Sequence, residues 1–276
     1  MTSSATGNSE HWIHLYDQHE RRGADRYGER RIRLPGRWRT IPNGVGKYWI
    51  DWSDLTGAGP DGDGRALDVD AVIAEERAYG RSLGREFEWK LYEHDRPANL
   101  KAKLIEAGFD CPDPEAVVVA RVDDVRARLR DRRPETPGRW TVHRPGPDGI
   151  DAVGQVLEAV YDEPFDDLGR RLADQLAHAP EEVDVVVIEE RGEPVSTGWS
   201  WYRSGSPFAT LWGGATVPSA RGQGAYKALL AARLDEAAAR GRTLASLDAG
   251  SMSRPILARL GFVTVEWCIP CVAQPS

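Results

Sequence analysis

The segment Val217 to Leu230, VPSARGQGAYKALL, holds the residues with the clearest chemistry. Ala215-Thr216-Val217-Pro218 reads as the end of a strand, Ser219 to Gly224 as a glycine-rich turn, and Ala225 as the start of a helix rich in Ala and Leu. A helix N-terminus has unpaired N–H groups and the positive end of the helix dipole. A glycine turn in front of it lets the backbone approach an anion closely. Strand, turn and helix together fit a diphosphate, whereas a glycine turn alone would only cap structure. Neither G-x-x-x-x-G-K-[ST] nor G-x-G-x-x-G occurs, and the loop follows several strands instead of opening the first βα turn, so the common nucleotide loops fit less well.

The elements that must position this loop can be read from residue 140 onward. WTVHR (140–144) alternates as a short strand. Residues 148–161 carry Ile150, Val153, Val156, Leu157 and Val160 on one helical face, and residues 166–178 carry Leu168, Leu172 and Leu176. VDVVVIEE (183–190) predicts a buried strand, followed by VSTGWSWYRS and FATLWGGATV. A helix from Ala225 to Arg240, ended by Gly241, precedes the strand TLASLDA, a short helix from Ser253 to Leu260 and the last strand VTVEWCIPCV. The expected order is β-α-α-β-β-β-α-β-α-β.

R-G-Q-G-A-Y (221–226) resembles the Q/R-x-x-G-x-G/A signature of the GCN5-related N-acetyltransferases, Thr216-Val217-Pro218 the end of that family's fourth strand, and SMSRPILARLGF its closing helix motif. The resemblance covers about half the chain. It implies an α/β acyl-CoA N-acyltransferase fold, a mixed sheet flanked by helices, with acetyl-CoA or another acyl-CoA as co-substrate, a small-molecule amine as acceptor and no metal. It also implies that backbone groups of Thr216 and Val217 pair with the pantetheine arm, and that N–H groups of Gly222, Gln223, Gly224, Ala225 and Tyr226 hold the pyrophosphate. Arg221 stands at the basic or amide position of the motif, and Ser253 joins the cofactor contacts at the head of the short helix. Tyr226 departs from the usual Gly or Ala; it either packs or offers its hydroxyl to phosphate. Where the family often has a tyrosine acid in the last helix this chain has Leu257, and the glutamate base of some members is not seen in FATLWGGATV.

Acyl transfer to an amine needs a neutral amine, an oxyanion donor and a fate for the thiolate. A strand backbone N–H can serve as the donor. Asp248, at the end of the strand after the loop helix, and Glu163 or Asp166, in the first helical connection, are candidate bases. Tyr202 or Tyr161 could replace the missing acid, and water could carry the proton with no dedicated base. Trp199 and Trp201 share one strand face and read first as packing; Trp212 lies near where an acceptor must approach and would suit an apolar or cationic amine.

The first half of the chain is less regular. Residues 10–65 are rich in Arg, Trp and Gly without clear periodicity. From about 70, helix, strand, helix and strand follow, as in the last quarter: LIEAGF (104–109) aligns with LARLGF (257–262). This reads as a duplicated half of the C-terminal unit that lacks an R-x-x-G-x-G/A loop and so should not bind CoA. A linker is expected at 131–139, DRRPETPGR, dividing an N-terminal lobe, 1–135, from an acyltransferase domain, 136–276.

With 41% hydrophobic and 29% charged residues the composition is that of a globular protein. No apolar run is long enough for a membrane helix, and no signal sequence is visible. Three cysteines without a signal make a disulfide framework unexpected and a reducing cytoplasm the expected compartment. Cys268-Ile269-Pro270-Cys271 sits in a final strand instead of opening a helix, which argues against a redox motif, and the two further ligands of a zinc site are not spaced nearby; both are read as buried or edge cysteines. The net charge of −7 argues against general nucleic-acid binding. The eight arginines of residues 21–39 are read as a solvated face neutralised by nearby acids; the sharper alternative is a patch for phosphates, the 3′-phosphate of CoA or an RNA. Two other functions are therefore carried: an aminoacyl-tRNA-dependent transferase on the same fold, and a non-catalytic acyl-CoA sensor or scaffold. The chain is expected to be a monomer or homodimer.

Overall fold

The computed structural model describes residues 3–44, 46–59, 62–131, 138–162 and 164–273. In chain order the elements are α1 (Ser3–Tyr16), β1 (Glu29–Leu34), β2 (Arg37–Pro42), β3 (Tyr48–Ser53), α2 (Val69–Leu83), β4 (Phe87–Tyr92), α3 (Leu100–Glu106), β5 (Glu115–Arg121) and α4 (Val122–Asp131). Then come β6 (Thr141–His143), α5 (Asp151–Tyr161), α6 (Asp166–His178), β7 (Val183–Glu190), β8 (Glu193–Trp201), β9 (Phe208–Thr216), α7 (Ala225–Ala239), β10 (Leu244–Ala249), α8 (Arg254–Leu260) and β11 (Val263–Ala273). From residue 140 on, the observed order of helices and strands is the one expected from the sequence. No helix among the described residues is long and apolar enough to cross a membrane.

The chain forms two compact units, and they do not divide at 135/136. The first holds residues up to 117 together with 249–251 and 264 onward; the second holds 118–248 and 252–263. The final strand thus belongs to the first unit, and the end of β5 with α4 to the second. Most of the expected linker at 131–139 lies outside the described residues.

In the second unit the strand order is β5-β10-β9-β8-β7-β6. β7, β8 and β9 form an antiparallel meander, and β10 runs parallel to β9. The apolar run of β7 is buried on both faces. Val183, Val185 and Val187 pack with α5 and α6 residues Val153, Val156 and Leu172, while Val186 and Ile188 pack with Ala225, Leu229 and Ala232 of α7. The two-residue period of a strand makes this division.

In the first unit the order is β1-β2-β3-β4-β11. Here the structure extends the expected half-copy. Residues 29–53, which showed no periodicity, are a three-stranded antiparallel meander, and β4 runs parallel to β3. Meander, helix, parallel strand and helix therefore occur in both units. The pattern was masked because the inward positions of these strands carry arginine. Arg31, Arg37 and Arg39 are buried, paired with Asp51, with Glu75 and Glu76, and with Glu76. Arg21 pairs with Asp17 and Asp95, and Arg26 with Glu29. Much of the basic segment is thus internal and neutralised rather than a solvated face. The apolar core of this unit gathers Tyr48, Ile50, Phe87, Trp89, Leu100 and Leu104 between sheet and helices.

One expectation is overturned. Cys111 and Cys271 form a disulfide. The partners are 160 residues apart in sequence, so no local spacing could announce them. They meet because backbone bonds between Asp110 and Val272, at 2.9 and 2.8 Å, bring the segment before β5 onto β11. Cys268 is buried and lies outside the disulfide.

Candidate functional site

β9 and β10 pair only from Phe208–Leu244 to Thr210–Ser246. Beyond that pair the two strands run on without a ladder, β9 to Thr216 and β10 to Ala249. A parallel pair that parts in this way leaves backbone groups along the β9 edge for an extended ligand.

At the end of β9 the chain makes a short turn, Pro218–Ala220, and then the glycine loop. Gly222 and Gly224 have φ of +70° and +100°, the left-handed region that favours glycine. Gly224 occupies the N-cap position of α7, and no side chain caps that terminus. The first N–H groups of a 15-residue helix are therefore left to a ligand or to water. Beside the loop the buried indole Nε1 of Trp140 has no hydrogen-bond partner and lies 3.6 Å from where a Gly224 side chain would start. On β10, at the residue that pairs with Thr210, the Ser246 hydroxyl is likewise buried and unpartnered. Unsatisfied buried donors are costly, and the one beside the loop, the Trp140 indole, fits a polar ligand there.

The residues expected to touch the cofactor divide. Thr216 is on β9, its carbonyl accepting from Arg221 Nε at 3.0 Å. Val217 is turned the other way. Its N–H donates to Val195 O on the β8 side, and its carbonyl accepts from Ala220, both at 3.0 Å, so its backbone is already engaged. Arg221, Gly222 and Gln223 are exposed and Ala225 is buried at the helix start. Gln223 is held at both ends, by Arg139 on its oxygen and by Ser219 O on its amide. Arg139, stacked 4.4 Å over Trp140 and paired with Glu190 at 2.7 Å, is a loop contact that sequence reading missed. Tyr226 packs with the α7 core, its ring 3.5 Å from where a Gly214 side chain would begin, and burial raises its hydroxyl pKa. Ser253 precedes α8, its carbonyl accepting from Ile256 and Leu257.

The expected catalytic groups also divide. In the register set by Thr210–Ser246, Asp248 comes level with Trp212 where the strands have parted. Glu163 lies outside the described residues. Tyr202 is buried just past the end of β8 at the far end of β9, where Trp201 pairs with Thr210, six residues from Thr216. Its ring is covered by Arg240 at 4.5 Å, and burial pushes its hydroxyl up to about 12. That places it in the packing under the sheet, away from the loop. Tyr161 ends α5 with 58% exposure, and Asp166 starts α6. Leu257 is fully buried. Trp199 is core, and Trp201 and Trp212 are half-buried, with ring centroids 5.3 Å apart. No group of three or more His, Cys, Asp or Glu among the described residues is placed to hold a metal.

β9 also carries a bulge. The register steps from Thr197–Ala215 to Trp199–Trp212, passing over Gly198 on one strand and Gly213 and Gly214 on the other. Gly213 has φ of +60°, and a side chain there would begin 1.8 Å from the Trp199 ring, so only glycine fits.

Residues 150–262 match the model of the acetyltransferase (GNAT) family. No curated protein matches the chain. Among solved structures, a GCN5-related N-acetyltransferase from Kribbella flavida is similar over 99% of this chain and 96% of its own, at 18% identity and a TM-score of 0.64. A tandem GNAT protein from the clavulanic acid biosynthesis pathway is similar over 87% of this chain and 78% of its own, at 14% identity and a TM-score of 0.59. A functionally unknown conserved protein from Staphylococcus epidermidis is similar over 89% and 94%, at 11% identity and a TM-score of 0.61. At these identities the likeness is one of fold. Fold, loop and family match agree: residues 150–262 are a domain of the acetyltransferase (GNAT) family.

Proposed function

We propose that the second unit is an N-acyltransferase that moves an acetyl or other acyl group from a coenzyme A thioester to the amine of a small molecule. The observation that carries this is the uncapped N-terminus of α7 behind two left-handed glycines, at the mouth of the groove between β9 and β10. The diphosphate of CoA would sit on the first N–H groups of α7 and the pantetheine arm would follow the β9 edge at Thr216. The unpartnered Trp140 indole supplies a further donor that such a ligand would satisfy.

In the reaction the amine nitrogen forms a C–N bond to the thioester carbon, the carbonyl oxygen becomes an oxyanion, and the C–S bond then breaks. Backbone N–H groups of β9 hold the oxyanion. Asp248, level with Trp212, takes the ammonium proton directly or through water. With Leu257 buried where a tyrosine acid would stand, the thiolate takes its proton from solvent. The half-buried rings of Trp201 and Trp212 form a wall for an apolar or cationic amine.

The test is a thermal-shift titration with acetyl-CoA, combined with mass spectrometry of ligands that co-purify. A ligand that binds only the folded state raises the unfolding midpoint by mass action. No shift at millimolar acetyl-CoA would sink this reading.

A further inference from the structure

One buried cation in the second unit has no role in the site as so far described. Arg233 lies on α7 and is only 3% exposed. Its hydrogen bonds go to three neutral acceptors: Nε to Ser200 Oγ at 3.1 Å, and Nη2 to Trp212 O at 3.1 Å and to Trp199 O. Among the described residues no carboxylate is in contact with it. Asp184 acts on it through space, with its own Oδ1 taken by Arg144 at 3.0 Å. Burying a guanidinium without a counter-ion is costly, and burial outweighs the raising influence of Tyr226, Tyr202 and Asp184 to bring its pKa down to about 10. An apolar residue would fill the same space more cheaply.

The two carbonyls it binds belong to the pair that flanks the β9 bulge. Trp212 O is one end of the peptide unit whose other end is the Gly213 N–H. A cation hydrogen-bonded to a peptide oxygen draws charge from that unit and makes its N–H a stronger donor. The same bond fixes the plane of the peptide. Gly213 stands three residues beyond Thr210, where β9 has already parted from β10. This is the part of the strand along which the acyl end of the cofactor would lie. We propose that Arg233 is a positioning residue for acyl transfer: through the Trp212 carbonyl it orients and polarises the Trp212–Gly213 peptide, whose N–H then receives the thioester oxygen as it becomes an oxyanion. This rests on the reading of the groove as an acyl-CoA site.

The test uses the full chain and acetyl-CoA with its thioester carbonyl isotopically labelled. Infrared difference spectra report the carbonyl stretch of the bound thioester without need of an acceptor. The wild-type protein should shift that stretch well below its value in water. Arg233→Met should return it most of the way towards the free value, while the Kd for acetyl-CoA changes by less than about threefold, because the phosphate loop is untouched. Arg233→Lys, which keeps charge and one donor, should hold an intermediate shift, and it decides the matter if the Met variant fails to fold. Turnover of either variant, once an acceptor is found, should fall by about tenfold or more in kcat with little change in KM for acetyl-CoA. A purely structural strut would lower the melting midpoint and leave the bound carbonyl stretch where it was; that result, in either folded variant, overturns the proposal. Absence of any acetyl-CoA binding to the wild type would overturn the reading of the groove, and this inference with it.

Discussion

Each unit contains a strand that leads through glycines into a helix, and the two connections are chemically opposite. In the second unit β9 leads through Gly222 and Gly224 to α7, whose N-terminus carries no side-chain cap. In the first unit β3 leads through Gly57, Gly59, Gly62 and Gly64 to α2. There Asp68 accepts from the N–H groups of Asp70 at 3.0 Å and Ala71 at 3.3 Å, so the anion position is filled by the chain's own carboxylate. Its glycines serve the loop itself. A side chain at Gly57 would begin 2.3 Å from Arg65 O, and Leu67 N bonds to Leu55 O at 2.8 Å. The strands beyond differ too. β3 and β4 part after Ile50–Trp89 and rejoin at Asp54–Arg96. In that gap sits Arg21, donating to Asp51 O at 2.6 Å and to Asp95 at 2.6 Å, with its guanidinium 3.7 Å over the Tyr92 ring. The same succession of elements therefore yields an open groove in one unit and a filled one in the other. Glycine content does not decide between them; the occupant of the helix N-terminus and of the strand gap does.

The sharpest way to break this comparison is to fill the open end. Gly224→Glu places a carboxylate at the N-cap of α7, on a residue whose φ of +100° strains any side chain. It copies the electrostatics that Asp68 gives α2. Acetyl-CoA affinity should fall by about a thousandfold or more, roughly 4 kcal/mol, with the fold retained. Calorimetric titration beside circular dichroism measures it. Unchanged affinity would show that the loop is not the phosphate site.

Emptying the filled end should cost stability instead of binding. Arg21→Met removes the partner of Asp95, whose side chain is fully buried, and of Asp17. Leaving those carboxylates unpaired should cost about 3 kcal/mol in denaturant unfolding. The acetyl-CoA affinity of the second unit should not move. A loss below about 1 kcal/mol would mean that the plug contributes no more than a surface ion pair.

The contrast between the units also explains what could be read from the sequence. In the second unit apolar residues fall at helical and strand periods, and the loop glycines stand between two such elements, so the order of elements and the position of the glycine loop were legible. In the first unit the inward strand positions hold Arg31, Arg37 and Arg39, whose burial depends on Asp51 and Glu76 far along the chain. No local period can show that. Val217 looked like a ligand contact, yet strand parity turned its N–H to Val195. Arg233 sat unremarked within an Ala- and Leu-rich helix, because its meaning depends on a bulge in a different element. The Cys111–Cys271 bond was hidden for the same reason.

The filled groove should also carry its own pH signature. His94, beside the Arg21 cluster, lies between Asp17, at 2.8 Å, and Glu266. Burial lowers its pKa, but the hydrogen bonds to the two carboxylates outweigh that and raise it to about 9. A raised imidazolium pKa stabilises the fold fully below the unfolded value of about 6.5, and the contribution is lost as pH rises through about 9. With the ring 32% exposed, the loss between these limits should be on the order of 2 kcal/mol. His94→Gln should flatten the dependence of unfolding free energy on pH across that window. A wild-type stability that does not fall from pH 6.5 to 9 would show that the imidazolium is not held there.

The smallest expected effect separates the two devices that close the first unit. Asp68→Ala frees the α2 N-terminus but leaves Arg21 in the strand gap. Loss of the cap should cost about 1 kcal/mol of stability. It should not create a second cofactor site, because a pantetheine arm would still meet the Arg21 guanidinium on Asp51 O, and Asp54 and Asp63 remain in the loop. The stoichiometry of acetyl-CoA in a titration should therefore stay at its wild-type value. A second equivalent bound by Asp68→Ala alone would show that the capping carboxylate is the whole difference between the units. A second equivalent bound only when Arg21→Met is added would show that the strand gap, more than the helix terminus, decides which unit can hold the cofactor.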